Sequence, residues 1–452
     1  MERMRQQDLS EWLLSEDRKP LVIRGARQVG KTWVVRDLAK THNRILIELN
    51  FEKNPGSKSF FESNEPDAIL RALSASIGQT IKPETHLLFL DEIQSAPELF
   101  AKLRWFAEEL PELPLIAAGS LLEFLLAQHT FSMPVGRIDY LHLEPLSFEE
   151  FLLAQGKIQM LEYVSEYHWS LEIPETLHQQ LLNLFKEYMT IGGLPAAVAS
   201  WVKNNSLDKV SQIHHRLLTT YRDDFSKYRG RIPVEYLEEV MLAVSRNLSQ
   251  KFVYSEVNPH VQSESIKKAL DLLTKARVCH SVVSASGNGV PLGAEVNRKF
   301  FKTLFLDVGL VSSMLGIDFN EISSASEINF INKGGLSEQV VGQILRTLPA
   351  SYIEPKLYYW QRTEKGSSAE VDYLFQLGSR VIPIEVKAGT TGSLKSLHFF
   401  MGLKELPLAI RINSDRPSKT SVDVKDTTGK PVNYTLLSLP FYLLGQIRRL
   451  AN

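Results

Sequence analysis

Eight residues have the types and spacing of a phosphate cradle. Gly25-Ala26-Arg27-Gln28-Val29-Gly30-Lys31-Thr32 follows the pattern G-x-x-x-x-G-K-[ST]. Glycines let such a loop curl until its N–H groups, and the N-terminus of the helix that follows, face a phosphate chain. Lys31 is then expected to reach the β/γ oxygens, and the Thr32 hydroxyl to meet a Mg²⁺ ion. About 60 residues later the apolar run Leu87 to Leu90 ends in Asp91-Glu92, a Walker B pattern. Asp91 is expected in the Mg²⁺ shell, and Glu92 as the group that orients or deprotonates the attacking water. The expected cofactors are ATP and Mg²⁺, and the expected reaction is nucleotide hydrolysis with Lys31 and Glu92 as catalytic residues. A ligand-free Gly-rich turn and a surface acid pair are the bland alternatives.

A second constellation lies far downstream. Glu385-Val386-Lys387 ends the apolar run Val381 to Ile384, and Asp372 stands about 13 residues before Glu385. Gly378-Ser379 suits a two-residue hairpin turn between the runs. If Leu377 and Arg380 close that turn, Asp372 faces Glu385 and Glu370 faces Lys387 on one side of the sheet. Facing carboxylates repel unless a cation or proton intervenes, and Lys387 or a divalent metal is the expected remedy. Glu338, on a preceding helix, can add a third acid. This layout is similar to a PD-(D/E)xK nuclease core. That resemblance implies a second Mg²⁺ or Mn²⁺ held by Glu338, Asp372 and Glu385, with Asp372, Glu385 and Lys387 catalytic. The plain alternative is a surface hairpin with a Glu370–Lys387 ion pair.

Between Pro20 and Phe151, the runs Leu21–Ile23, Ile45–Leu49, Leu87–Leu90 and Leu115–Ala118 each precede a polar turn and a helix-like segment. That rhythm predicts an α/β layer with a parallel sheet. From Leu152 the spacing of Leu181, Leu184, Phe185 and Tyr188 is helical, broken at Gly192-Gly193-Leu194-Pro195. A helix capped by Ser263, with the stripe Ile266, Ala269, Leu270 and Leu273, is followed by alternating residues from Val278, which suggests a winged helix. A helix after Gly334-Gly335 and three β-like runs to Val386 suggest another α/β unit, and Asn413 to Asp423 reads as a surface loop. The fold class is therefore α/β multidomain: a P-loop domain over 1–151, a helical lid over 152–231, a winged-helix-like domain over 232–325 and a nuclease-like α/β domain over 326–452.

At about 150 residues per domain, 452 residues predict about three domains and argue against one compact unit. Lysine and arginine number 51 against 52 acids, so no global field draws a polyanion and any nucleic acid must meet a local site. The single Cys279 excludes an intramolecular disulfide and a thiolate metal cage, which suits a reducing compartment. The charged start has no signal-peptide core, and the apolar stretch Leu113 to Ala127 is broken by Pro114, Gly119 and Glu123, so a cytoplasmic protein without a membrane span is expected. His214-His215 lacks partner ligands at helical spacing and is not read as a metal site. Lys267, Lys268, Lys275 and Arg277 could touch a DNA backbone.

Taken together, Gly25 to Thr32, Asp91-Glu92-Ile93-Gln94, Ala118-Gly119-Ser120, Gly136-Arg137 before Glu144 to Phe151, Gly192-Gly193-Leu194-Pro195 and Lys302 to Leu310 resemble the bacterial and archaeal AAA-type P-loop ATPases that carry a C-terminal domain of unknown function with a restriction-endonuclease-like fold. The resemblance implies that Ser120 is a polar sensor near the γ-phosphate and Arg137 a nucleotide-sensing arginine. It also likens Pro195 to the proline through which signal-transducing ATPases let a lid touch nucleotide, a segment that otherwise reads as a helix break. The expected function is an ATP-hydrolysing protein whose nucleotide state drives a nuclease-like domain acting on DNA. A switch whose C-terminal domain only binds a protein or nucleic-acid partner is the alternative, and the oligomeric state is open.

Overall fold

The computed structural model describes residues 1–120, 122, 134–225, 232–317, 334–362, 369–387 and 394–452. The boundaries expected at 231 and 325, and the end of the apolar stretch Leu113 to Ala127, fall outside these residues. The chain forms two compact units. The first comprises Met1–Glu144 with Lys275–Arg277 and Pro349–Glu354, and the second Pro145–Thr274, Val278–Leu348 and Pro355–Asn452. No helix among the described residues is long and apolar enough to cross a membrane.

In the first unit five parallel strands, β1 (Leu21–Arg24), β2 (Ile45–Asn50), β3 (His86–Asp91), β4 (Leu115–Gly119) and β5 (Asp139–His142), lie in the order β2-β3-β4-β1-β5. The first four occupy the apolar runs expected. Strands β3 and β4 are buried throughout, as strands covered on both faces must be, which is why they read as continuous apolar runs. Their burial, with Val22, Phe100, Leu103 and Phe106, builds the core. Register aligns the carboxyl ends. Arg24 lies opposite Gly119, and Asp91 opposite Ala118, so the turns leaving β1, β3 and β4 open on one edge, where open α/β sheets bind ligands.

The second unit begins with a run of helices that includes α2 (Glu175–Ile191), α3 (Pro195–Asn204), α4 (Leu207–Asp224) and α5 (Ser263–Lys275); the label α1 is kept for Lys31–Thr41 of the first unit. Eight strands follow: β6 (Cys279–Ala285), β7 (Val296–Phe305), β8 (Leu357–Gln361), β9 (Glu370–Leu377), β10 (Arg380–Val386), β11 (Leu408–Asn413), β12 (Ser418–Lys425) and β13 (Pro431–Pro440). They form one mixed sheet, β12-β13-β11-β10-β9-β8-β6-β7. The hairpin expected after α5 is β6–β7, but β6 also pairs in parallel with β8. It is therefore the end of a continuous sheet and not a detached wing.

The polar run read as a surface loop overlaps β12, which pairs with β13 over its full length. It is exposed or half-exposed at every position, with Lys419, Asp423 and Lys425 on one face, and charges on an edge strand discourage further pairing. Three further helices carry the sheet's chemistry: α6 (Val308–Met314), α7 (Gly335–Thr347) and α8 (Lys395–Lys404). Phe399 and Phe400 of α8 pack on Trp360, the nearer ring centroid at 4.9 Å. The α7 side chain Gln339 pairs with both the N–H and the carbonyl of Phe305, at 2.9 and 2.8 Å. A buried amide anchored at both ends fixes the rotation of α7, and with it the direction of Glu338.

Candidate nucleotide and acidic sites

Gly30 caps α1 with a φ of 97°, a left-handed conformation that favours glycine. Gln28 also has a positive φ, 68°. A Cβ on Gly25 would stand 2.3 Å from the Leu143 carbonyl oxygen, so only glycine lets the loop lie against that strand end. Ala26 and Val29 are buried, the Val29 carbonyl accepts from Arg3 at 2.8 Å, and Arg27 faces Glu52 at 3.6 Å. Lys31 is folded back, its ammonium donating to the carbonyls of Gly25 at 3.1 Å and Ala26 at 2.8 Å. A cation held by two loop carbonyls lies inside the curl that a phosphate would enter.

The Thr32 hydroxyl donates to Asp91 Oδ2 at 3.2 Å, and the Asn50 amide to the same oxygen at 3.1 Å. Burial, then the neighbouring Glu92, pushes the Asp91 carboxyl above its ordinary value. A desolvated acid beside a hydroxyl and a second carboxylate is a donor set suited to Mg²⁺, which takes oxygen ligands and would relieve both sources of strain. Glu92 itself has φ 51°, and its carboxylate accepts from the Gln94 amide. Gln94 presses on the end of β4, where a Cβ on Gly119 would meet its Oε1 at 2.3 Å. Ser120 follows, 2% exposed. The motif Asp91 to Gln94 thus joins the acid pair to the Ser120 strand end, a link with no signature in spacing.

Arg137 does not join them: its guanidinium donates to Glu108 at 2.7 Å and stays half exposed. Arg277, a candidate for DNA phosphates, is 4% exposed and paired with Glu144 and Glu354, each at 3.6 Å. It is committed within the first unit.

Pro195 belongs to the second unit, where it opens α3 at the first helical turn. The bend before it is built by Asp307, whose carboxylate accepts from Gly193 N–H at 2.7 Å, Gly309 N–H at 3.0 Å, Leu310 N–H at 3.2 Å and the Gln343 amide at 3.1 Å. Burial still outweighs these donors and raises the Asp307 carboxyl to about 6. His214 completes the bend: its Nε2–H donates to the Ile191 carbonyl at 2.9 Å, and Ser313 Oγ lies 2.7 Å from Nδ1. Burial lowers its imidazole to about 4.

On the sheet, β9 and β10 pair Leu377 with Arg380 through Tyr373 with Ile384, the register expected from the turn. Its continuation sets Asp372 beside Glu385, and Asp372 Oδ2 accepts from Val386 N–H at 2.7 Å. The ion pairs differ from expectation. Lys387 holds its near neighbour Glu385 at 2.8 Å, not Glu370. Glu370 is held by Lys302 of β7 at 2.5 Å, and the same ammonium stands 3.1 Å from Glu338 and 3.9 Å from Asp372. Lys302 is 3% exposed and lies over the Tyr359 ring at 5.3 Å. Burial pulls its pKa down, and Glu338, Asp372 and Glu370 together more than reverse that. Burial and Asp372 push both Glu338 and Glu385 upward.

Sequence reasoning missed Lys302, because β7 lies three places from β9 in the sheet and no local pattern connects them. Among the described residues no group of three or more His, Cys, Asp or Glu side chains is arranged to hold a metal ion. The second Mg²⁺ or Mn²⁺ expected at Glu338, Asp372 and Glu385 does not fit this arrangement.

Residues 182–321 match a domain of unknown function (DUF8612), and residues 333–427 match another (DUF4143). No curated protein matches the chain. Among solved structures, the chain is similar to the Walker-type ATPase of Pyrococcus abyssi, at 14% identity over 69% of this chain and 94% of that one, with a TM-score of 0.41. It is similar to the ORC2 protein of Aeropyrum pernix, at 14% identity over 72% and 95%, with a TM-score of 0.32. A signal transduction ATPase with numerous domains and a tetratricopeptide repeat sensor, from Pyrococcus horikoshii, is similar at 12% identity over 76% and 45%, with a TM-score of 0.25. Residues 17–152 match the AAA domain family, a span that contains all five strands of the first sheet, the loop 25–32, Asp91 and Ser120. Over that span the chain matches an AAA domain and bears its phosphate-loop pattern.

Proposed function

We propose that the chain binds ATP with Mg²⁺ at Gly25–Thr32, hydrolyses it with Glu92, and passes its nucleotide state to the second unit. The observation that carries this reading is the convergence of Lys31, Thr32 and Asp91 at one sheet edge, with Thr32 hydrogen-bonded to Asp91. Backbone N–H groups of the loop bind the phosphates, and Lys31 exchanges its two loop carbonyls for phosphate oxygens. Thr32 and Asp91 would hold the Mg²⁺, which supplies neutralisation of the charge developing on the phosphates. Glu92, steadied by Gln94, takes the proton of the attacking water or orients it. Ser120 offers a hydroxyl at the same edge, Arg137 leaves Glu108 to sense nucleotide, and Pro195 marks the segment that responds.

The second unit is read as a nuclease-like effector that engages DNA, a reading carried by the β9–β10 register that sets Asp372 beside Glu385, with metal-dependent cleavage left aside while Lys302 holds the acids. Fluorescent ADP binding and ATP turnover test the proposal. Lys31→Ala is expected to weaken Mg²⁺-nucleotide binding by at least about tenfold, and duplex or branched DNA to raise turnover of the full chain. Equal binding by Lys31→Ala contradicts the site, and unchanged turnover with every DNA form contradicts the effector.

A further inference from the structure

The resemblance of the second unit to a nuclease core calls for a divalent ion among Glu338, Asp372 and Glu385, and each of those acids already has at least one oxygen engaged by a protein group. Glu338 Oε2 is 3.1 Å from the Lys302 ammonium. Asp372 has one oxygen on Val386 N–H and the other facing Lys302 at 3.9 Å. Glu385 has one oxygen on Lys387 at 2.8 Å and the other buried without a hydrogen-bond partner. Mg²⁺ bonds carboxylate oxygens at about 2.1 Å and demands six ligands in near-octahedral geometry. The Lys302 ammonium faces the Glu338 and Asp372 oxygens, and a divalent ion bonded to them would be pressed against a like charge in a site with little water to screen it.

Lys302 is also built in and not a passing surface partner. It is 3% exposed, rests on Tyr359 at 5.3 Å, and touches acids from both α7 and β9. The backbone beside it is fixed, since Gln339 of α7 grips Phe305 three residues along β7. We propose that Lys302 is the resident cation of this acidic cluster, and that its ammonium excludes a divalent metal from Glu338, Asp372 and Glu385. The proposal rests on the nuclease-like layout of the second unit and is independent of the ATPase reading, so its failure leaves the phosphate site untouched.

The test is a Mn²⁺ titration of the full chain without nucleotide, followed by electron paramagnetic resonance. Binding that disappears on Asp372→Ala is assigned to the cluster. Removing Lys302 alone would strand buried acids, so the informative variant is Lys302→Met with Glu370→Gln, which removes one charge of each sign and keeps all three metal-type acids. Wild type and Lys302→Arg are expected to lack Asp372-dependent binding, and the double variant to gain binding at least about tenfold tighter. Asp372-dependent binding by wild type as tight as that of the double variant overturns the proposal, as does absence of binding in both. If the double variant does not fold, the wild-type titration still decides: Asp372-dependent Mn²⁺ binding there overturns the proposal, and its absence supports it.

Discussion

Burial sets the charge state of several ionisable residues in this chain, and His214 is the clearest case. Burial lowers its imidazole from 6.5 to about 4, outweighing the hydrogen bond to the Ile191 carbonyl, which favours the charged form. A depressed folded value contributes stability that is present above pH 6.5 and is lost as pH falls through about 4. Over that window the loss is on the order of 3 kcal/mol. Asp307 acts with the opposite sign: its carboxyl is raised from 3.8 to about 6, so its contribution is present below pH 3.8 and lost as pH rises through about 6. The two partly offset one another in wild type. His214→Asn is therefore expected to cost stability at pH 7 and to flatten the acid-side decline between pH 6.5 and 4. Urea unfolding across that range checks it, and parallel wild-type and variant curves would exclude His214 as the source.

At the scale of elements, the bend 191–195 is a closely packed junction of the second unit. A Cβ on Gly192, where φ is 76°, would lie 2.0 Å from Asp307 Oδ1, and one on Gly193 would lie 2.2 Å from the Leu146 carbonyl oxygen. Gly192→Ala is expected to destabilise the chain by about 2 kcal/mol or more, because strain and a backbone-fixed carboxylate act together; a thermal midpoint equal to wild type would contradict the packing. Elements of this kind were partly legible in the sequence. The phosphate loop and the four apolar strands declare themselves through local pattern, and the turn Gly378-Ser379 is enough to set the β9–β10 register. Strand β5 escaped because Asp139–His142 is four residues long and half polar. Strand β12 escaped because an edge strand need not be apolar. Lys302 and Asp307 were invisible as site residues because their partners, Glu338 and Gly193, are about 36 and 114 residues away in the chain, and only the folded sheet and helices bring them together.

At the scale of the whole molecule, coupling requires that nucleotide state in the first unit alter the second. If the proposed coupling holds, amide exchange over Ile191 to Ala197 is expected to differ between ADP and a non-hydrolysable ATP analogue. Equal protection in the two states would leave Pro195 as a helix start and nothing more. The central claim is hydrolysis at the loop, and the direct measurement is phosphate release by wild type and Glu92→Gln under saturating Mg²⁺-ATP, with nucleotide affinity measured beside it. Glu92→Gln keeps the size of the side chain and its place beside Gln94 but removes the base. The account predicts affinity within about threefold of wild type and turnover lower by about a hundredfold or more; equal turnover in the variant, or none in wild type, would contradict it.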